Sequence, residues 1–222
     1  MAASSSSVTL CTLTHADVPQ ISAIHMRAFP RRAMTALGSE AVARYYAWLL
    51  AEVHPHAYRM GAFDGERLLG FNFAGRYNGA LSGFLQHNRN FLIAKVAARP
   101  WLLLTNDLFR ARIALALRLL RRRPMKPAAQ RAITPPREFG ILAIAVDPTV
   151  QGGGVGRLLM QDAEAEALRR GARVMNLSVD QDNAQAIRFY EHAGWYKVID
   201  AAGMWDGNML KTIAPPGDPS PG

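Results

Sequence analysis

Cysteine is nearly missing from this sequence: Cys11 stands alone among 222 residues. That excludes an internal disulfide and makes a reducing, cytoplasmic home the expectation. A lone Cys with apolar flanks reads as packing rather than as a nucleophile. No run approaches the roughly 18 apolar residues of a spanning helix. Met1 to Ser7 lacks both a basic start and an apolar stretch, so it reads as a frayed tail and not as a secretory signal. Pro215 to Gly222 holds only Pro, Gly, Asp and Ser, and disorder is expected over 214–222. The six histidines (His15, His25, His54, His56, His87, His192) form no ligand cluster, so no metal is expected. Lysine is scarce too. Arginine supplies most of the 26 basic residues.

Half of the chain is hydrophobic, enough to bury a core without staples. The net charge of +9 is unevenly spread. Residues 80–137 carry twelve Lys and Arg against one acid, Asp107, a net +11 that leaves −2 for everything else. The chain therefore divides into a near-neutral part at 8–79, a basic block at 80–137 and a near-neutral part at 138–213.

Apolar spacing predicts a short strand at Val8–Leu13 and a helix at Asp17–Phe29 entered through Thr14 or His15. A second helix is expected from Glu40 to Val53 behind Ser39. The turn signal Asp64-Gly65 sits between alternating runs, Ala57–Phe63 and Leu68–Gly75, and predicts a hairpin. Phe84 to Leu120 reads as helices broken at Pro100. Phe139 to Val146 is a continuous apolar run of strand length, which suits a strand covered on both faces. Helices at 157–170 and 184–193 and strands at 173–179, 195–199 and 204–213 complete the order.

Between the apolar strand and the next helix lies Gln151-Gly152-Gly153-Gly154-Val155-Gly156. Glycines admit positive φ and close ligand approach, so successive N–H groups can converge on one concavity. The following helix adds its first-turn amides and the positive end of its dipole. Such a cradle suits a pyrophosphate. The P-loop ending Gly-Lys-Ser/Thr is absent, and Arg157 stands where the dinucleotide fingerprint needs its third glycine.

Gln151-x-x-Gly154-x-Gly156 resembles the coenzyme A motif of the GNAT superfamily of N-acetyltransferases. The strand Ile144-Ala145-Val146-Asp147-Pro148 resembles the lead into that motif. The run Asn183 to Trp195, Asn-x-x-Ala-x-x-Phe-Tyr-x-x-x-Gly-Trp, resembles the family's second signature. The resemblance covers 139–213 by motif and 8–76 by element order only; 80–137 departs from it. It implies a mixed α/β fold, with a mostly antiparallel sheet splayed at the cofactor site, helices on both faces and an inserted helical segment. It also implies acetyl-CoA as cofactor, with an amine acylated by direct attack in a ternary complex. The diphosphate would rest on Gln151, Gly152, Gly153, Gly154, Val155 and Gly156. The pantetheine arm would run along Ile144, Ala145 and Val146, with Asn183 touching the cofactor or capping its helix. Tyr190 matches the general acid that protonates the leaving thiolate. No residue matches a base; Glu138, Asp180, His25 and water chains are the candidates, with Glu138 at the strand's start.

The block 80–137 admits several readings. Its arginines could shape an acceptor pocket for an anionic or sugar-linked small-molecule amine. The stretch 101–123 could dock on an anionic membrane. It could also be a solvated helical pair in an arginine-rich chain. No aromatic-interleaved motif points to nucleic acid. A sensor that holds acyl-CoA without turnover is the alternative to an enzyme. Oligomeric state is not legible.

Overall fold

A computed structural model describes residues 8–77, 79–102, 110, 114 and 138–213. Seven strands form one sheet in the order β1-β2-β3-β4-β5-β7-β6. They are β1 (Thr9–Thr12), β2 (Ala57–Asp64), β3 (Arg67–Gly75), β4 (Glu138–Val146), β5 (Val174–Ser178), β6 (Tyr196–Ile199) and β7 (Trp205–Thr212). Every neighbouring pair is antiparallel except β4 with β5. The helices are α1 (Val18–Ala28), α2 (Ala33–Ala36), α3 (Ser39–Leu50), α4 (Ala80–His87), α5 (Arg89–Ala97), α6 (Val155–Arg169) and α7 (Ala184–His192). No helix among the described residues is long and apolar enough to cross a membrane.

Element limits fall within about two residues of the periodicities, apart from the early end of α3, the early start of α4 and a break at Asn88 between α4 and α5 that the expectation placed only at Pro100; most of 103–120 lies outside the described residues. Entry into α1 passes through a 3₁₀ turn, His15–Asp17, where the Thr14 N–H donates to Asp17 Oδ2 at 2.7 Å. The hairpin turn is made at Gly65, whose φ of +58° suits glycine. The four-residue α2 carries no sequence signal long enough to read. Cys11 is exposed on β1 rather than packed, which corrects the expectation for it.

The strand β3 is buried along nearly its whole length because both faces are covered. On one face, α1 and α3 close over Phe71 and Phe73 with Ile21, Ile24, Tyr46 and Leu49. On the other, α6 and α7 bring Met160, Ala163 and Tyr190, with Trp195 just past α7, against Met175 and Met209. Burying a side chain such as Phe71 contributes about 1.5–3 kcal/mol. The sheet is thus the middle layer of three.

Helices α4 and α5 dock on α3. The Trp48 indole N–H donates to Ala80 O at 2.9 Å. Its ring lies so near Gly83 that a Cβ there would stand 2.7 Å from Trp48 Cζ2. Phe91 of α5 lies under the Arg44 guanidinium at 4.0 Å, and Lys95 pairs with Glu40 at 2.7 Å. Trp101, Leu102, Arg110 and Ala114 are all that is described between 101 and 123, so the membrane-docking expectation lies outside the described residues.

Asp147 ends β4 and is the best-buried carboxylate of this region. It caps the 3₁₀ turn Pro148–Val150 by accepting from the Thr149 N–H and hydroxyl, and it pairs with Arg27 at 2.8 Å. Burial alone would raise its pKa, but hydrogen bonds from Thr149 and Arg27 outweigh it and hold the carboxyl below its ordinary 3.8. A depressed carboxylate contributes stability above its unfolded pKa, and that stability is lost as the pH falls through the folded one. Asp147→Ala is therefore expected to cost about 2 kcal/mol at pH 7 and about 4–8 °C in Tm. Thermal melts should show the difference closing below about pH 4; a constant gap down to pH 3 would disprove the carboxylate's role.

Candidate active site

The cleft follows from where two strands part. β4 and β5 pair only from Glu138↔Val174 to Ile141↔Leu177. Leu142 is then a bulge: Ala74 pairs with Ile141 and Phe73 with Ala143, so one extra residue stands opposite β3. A bulge bends its strand and raises the local twist. Past it β4 stays with β3, while Ser178 pairs with Asn208 and the Val179 N–H donates to Gly207 O, keeping β5 with β7. A wedge opens between them.

The register settles which peptide groups face that wedge. The Asp147 N–H donates to Leu69 O at 2.8 Å. Antiparallel ladders alternate, so Ala145 also turns its peptide groups to β3, while Ile144 and Val146 turn theirs to the wedge. Gln151 reaches back to one of these, donating from Nε2 to Val146 O at 3.3 Å. Ala145 also buries its methyl among the α1 and α3 residues. Of the three positions expected along the pantetheine arm, Ile144 and Val146 offer main-chain groups to the wedge and Ala145 does not.

The glycine turn closes the wedge's end. Gly152 and Gly154 have φ of +87° and +82°, and nothing lies within 4 Å of where their Cβ atoms would stand. The Leu158 N–H donates to Gly154 O at 3.0 Å, the first bond of α6. The amides of Val155, Gly156 and Arg157 therefore precede the helical ladder, as first-turn amides do. Open space beside two positive-φ glycines, in front of unladdered amides, fits a diphosphate.

The wedge continues into a cleft of about 720 Å³ whose lining includes Ile141 to Ile144, Ser178, Asn183, Tyr190, His25 and Arg32. Asn183 caps α7, accepting from the Ala186 N–H at 3.1 Å, and borders the cleft as well. Tyr190 packs edge-on against Phe189, and burial pushes its phenol up to about 12. His25 Nδ1 shares a hydrogen with the Tyr46 hydroxyl at 2.8 Å, while its buried Nε2 has no partner among the described residues. Burial, helped by the Arg32 charge, lowers His25 to about 4, so the ring is neutral at pH 7. Arg32, from the loop before α2, influences the pKa of His25, Tyr46 and Tyr190 alike and pairs with Asp180 at 2.9 Å.

Asp180 is thus bound to a cation rather than free. Glu138 opens β4 roughly 20 Å along the strand from Ile144, and its side chain lies outside the described residues. No Asp or Glu among the described residues lines the cleft, and no metal-binding cluster occurs among them. Sequence reasoning missed Arg32, while α4 and α5, from the block read as one that could shape an acceptor pocket, contribute to the lining. Nothing in the local pattern at Arg32 separates it from Arg31.

A profile of the acetyltransferase (GNAT) family matches residues 18–195, which takes in the wedge, the glycine turn and Tyr190. The chain belongs to that family. Its place there agrees with the strand order and with the splay between β4 and β5. Among curated proteins, the mycothiol acetyltransferase of Nocardiopsis dassonvillei is 35% identical over 81 residues, 36% of this chain and 22% of that protein. The N-alpha-acetyltransferase RimI of Mycobacterium tuberculosis is 40% identical over 65 residues, 29% of this chain and 39% of that protein. The GNAT chain described here spans less than half the length of either. In fold it is similar to the PaiA N-acetyltransferase from Thermoplasma acidophilum, solved in complex with coenzyme A. The TM-score is 0.56 at 12% identity, over 93% of this chain and 99% of that one.

Proposed function

We propose that this GNAT protein is a cytoplasmic N-acetyltransferase that moves an acetyl group from acetyl-CoA to a primary amine of a small molecule, by direct attack in a ternary complex. The observation that carries the reading is the wedge: main-chain groups of Ile144 and Val146 face it, the glycine turn closes one end, and Tyr190 borders it. The amides of the 151–156 turn and the start of α6 would hold the diphosphate. Acetyl-CoA, when bound, supplies an acetyl group activated as a thioester.

The remaining work falls to the chain. The Val146 N–H faces the wedge, where a fixed donor stabilises negative charge growing on a carbonyl oxygen. Tyr190 keeps its proton on Oη across the working pH range, because burial raises its pKa to about 12. That proton is available to a departing thiolate. His25, held neutral, does not compete for it.

An amine must shed a proton before it attacks. With no carboxylate among the described lining and His25 at about 4, the amine's own ionisation limits the rate. The expected result is a kcat/KM for the amine that rises tenfold per pH unit up to that amine's pKa, with no fall before about pH 11. Thiol release from acetyl-CoA over an amine panel measures it. A flat profile from pH 6 to 9 would reveal a base that this account lacks.

The same missing carboxylate favours one second reading, a sensor that holds acyl-CoA without turnover. Calorimetric binding of coenzyme A with no thiol release on any amine would select it.

A further inference from the structure

The acceptor half of the cleft is chemically one-sided. Helix α5 turns Leu92, Ile93 and Val96 toward it at helical spacing, and α4 adds Leu81 and Leu85. Ile93 is 56% exposed and Leu81 is 40% exposed, so this apolar wall is wetted rather than filled. Water beside apolar surface is unfavourable, and a ligand that displaces it gains roughly 25 cal/mol per Å² covered. A polyamine or a sugar would gain little there. A protonated amine would find no counter-charge, since the described lining holds no acid.

The charged side chains among the described lining are both cations, Arg89 and the Asp180-paired Arg32. Arg89 stands one turn before Ile93 on the same face of α5, is exposed, and makes no ion pair among the described residues. Arg32 enters from the α1–α2 side. The unpartnered Nε2 of His25 is buried at the cleft's edge. A simple acyl chain has no use for cations beside an apolar wall. A ligand with an apolar body and an anionic end uses both.

We propose that the acceptor is a small amine with an apolar body and a carboxylate, of the kind a hydrophobic amino acid presents, seated on α5 with its carboxylate at Arg89. The proposal rests on the N-acetyltransferase reading and names its substrate class. The body covers Leu92, Ile93 and Val96. The amine points to the wedge, where the acetyl group is transferred: a C–N bond forms, the C–S bond breaks, the amine releases its proton to water, Tyr190 Oη gives one to the sulfur, and water returns one to Tyr190.

The test uses the full chain with acetyl-CoA and four acceptors: L-phenylalanine, phenethylamine (the same body without the carboxylate), L-aspartate and spermidine. L-Phenylalanine is expected to have a KM at least about tenfold below those of the other three, a difference of about 1.4 kcal/mol. Arg89→Gln should bring L-phenylalanine and phenethylamine within about threefold of each other. Ile93→Asp should raise the KM of L-phenylalanine about tenfold. Both residues are exposed, so neither substitution threatens the fold.

A readout apart from turnover is calorimetric titration of L-phenylalanine into the coenzyme A-loaded protein, with binding about tenfold weaker in Arg89→Gln than in the parent. Equal KM values across the acceptors would overturn the proposal. So would a preference for spermidine, or, with octanoyl-CoA run as a second donor beside acetyl-CoA, an Ile93→Asp effect confined to octanoyl-CoA, which would assign the wall to the acyl chain. In those cases acetyl transfer itself stands. Thiol release with no amine at all would remove both readings together.

Discussion

Tyr190→Phe is expected to bind coenzyme A as the parent does and to turn over about 10²–10⁴-fold more slowly, the span typical of losing one positioned proton donor. The phenylalanine ring keeps the contacts with Phe189 and Trp195, since only the hydroxyl is removed. The effect should fall on kcat and leave the coenzyme A dissociation constant within about twofold. Its size follows from the leaving group: a thiolate departing without a proton must be held as an anion in a part-apolar cleft, where it has lost much of its hydration. Steady-state kinetics with calorimetry on the same preparation read both quantities. A kcat within threefold of the parent would pass the proton role to solvent and leave Tyr190 a packing residue.

Gly154→Val is the second large effect. At φ of +82° a β-branched side chain is strained by roughly 1–3 kcal/mol, and its methyl groups would occupy the open space in front of the α6 amides. Losing one or two charge-assisted hydrogen bonds to the diphosphate, each about 1.5–3 kcal/mol, weakens coenzyme A at least about tenfold. The strain itself should cost only a few degrees of Tm. Gly65→Val is the control, because Gly65 is also a positive-φ glycine with nothing within 4 Å, but it lies in the β2–β3 turn. It should lose stability and keep coenzyme A. Equal affinity in Gly154→Val and Gly65→Val would remove the turn from the binding site.

These two residues were legible in the sequence for different reasons. Gly154 belongs to a run whose chemistry is local: four glycines in six positions between an apolar strand and a helix state a backbone shape whatever surrounds them. Asn183 is legible in the same way, as a residue able to cap the next helix, and it does so. Tyr190 is not local. Periodicity places it on a helix, but only the packing of α7 on β5 and β7 decides that its phenol borders the cleft while its ring rests on Trp195. The bulge at Leu142 left no mark either, because Ile-Leu-Ala-Ile reads as unbroken strand and the extra residue exists only relative to β3. The preference for Ile144 and Val146 over Ala145 has the same origin, since register is a property of a pair of strands.

The order of the strands and longer helices, the glycine cradle and the basic character of 80–137 could be read from the chain, because each is written in neighbours along it. Tertiary structure alone decided the parting of β4 from β5, the meeting of Arg32 with Asp180 and the apolar wall of α5. These join residues dozens of positions apart, and a side chain's task depends on what folding sets opposite it.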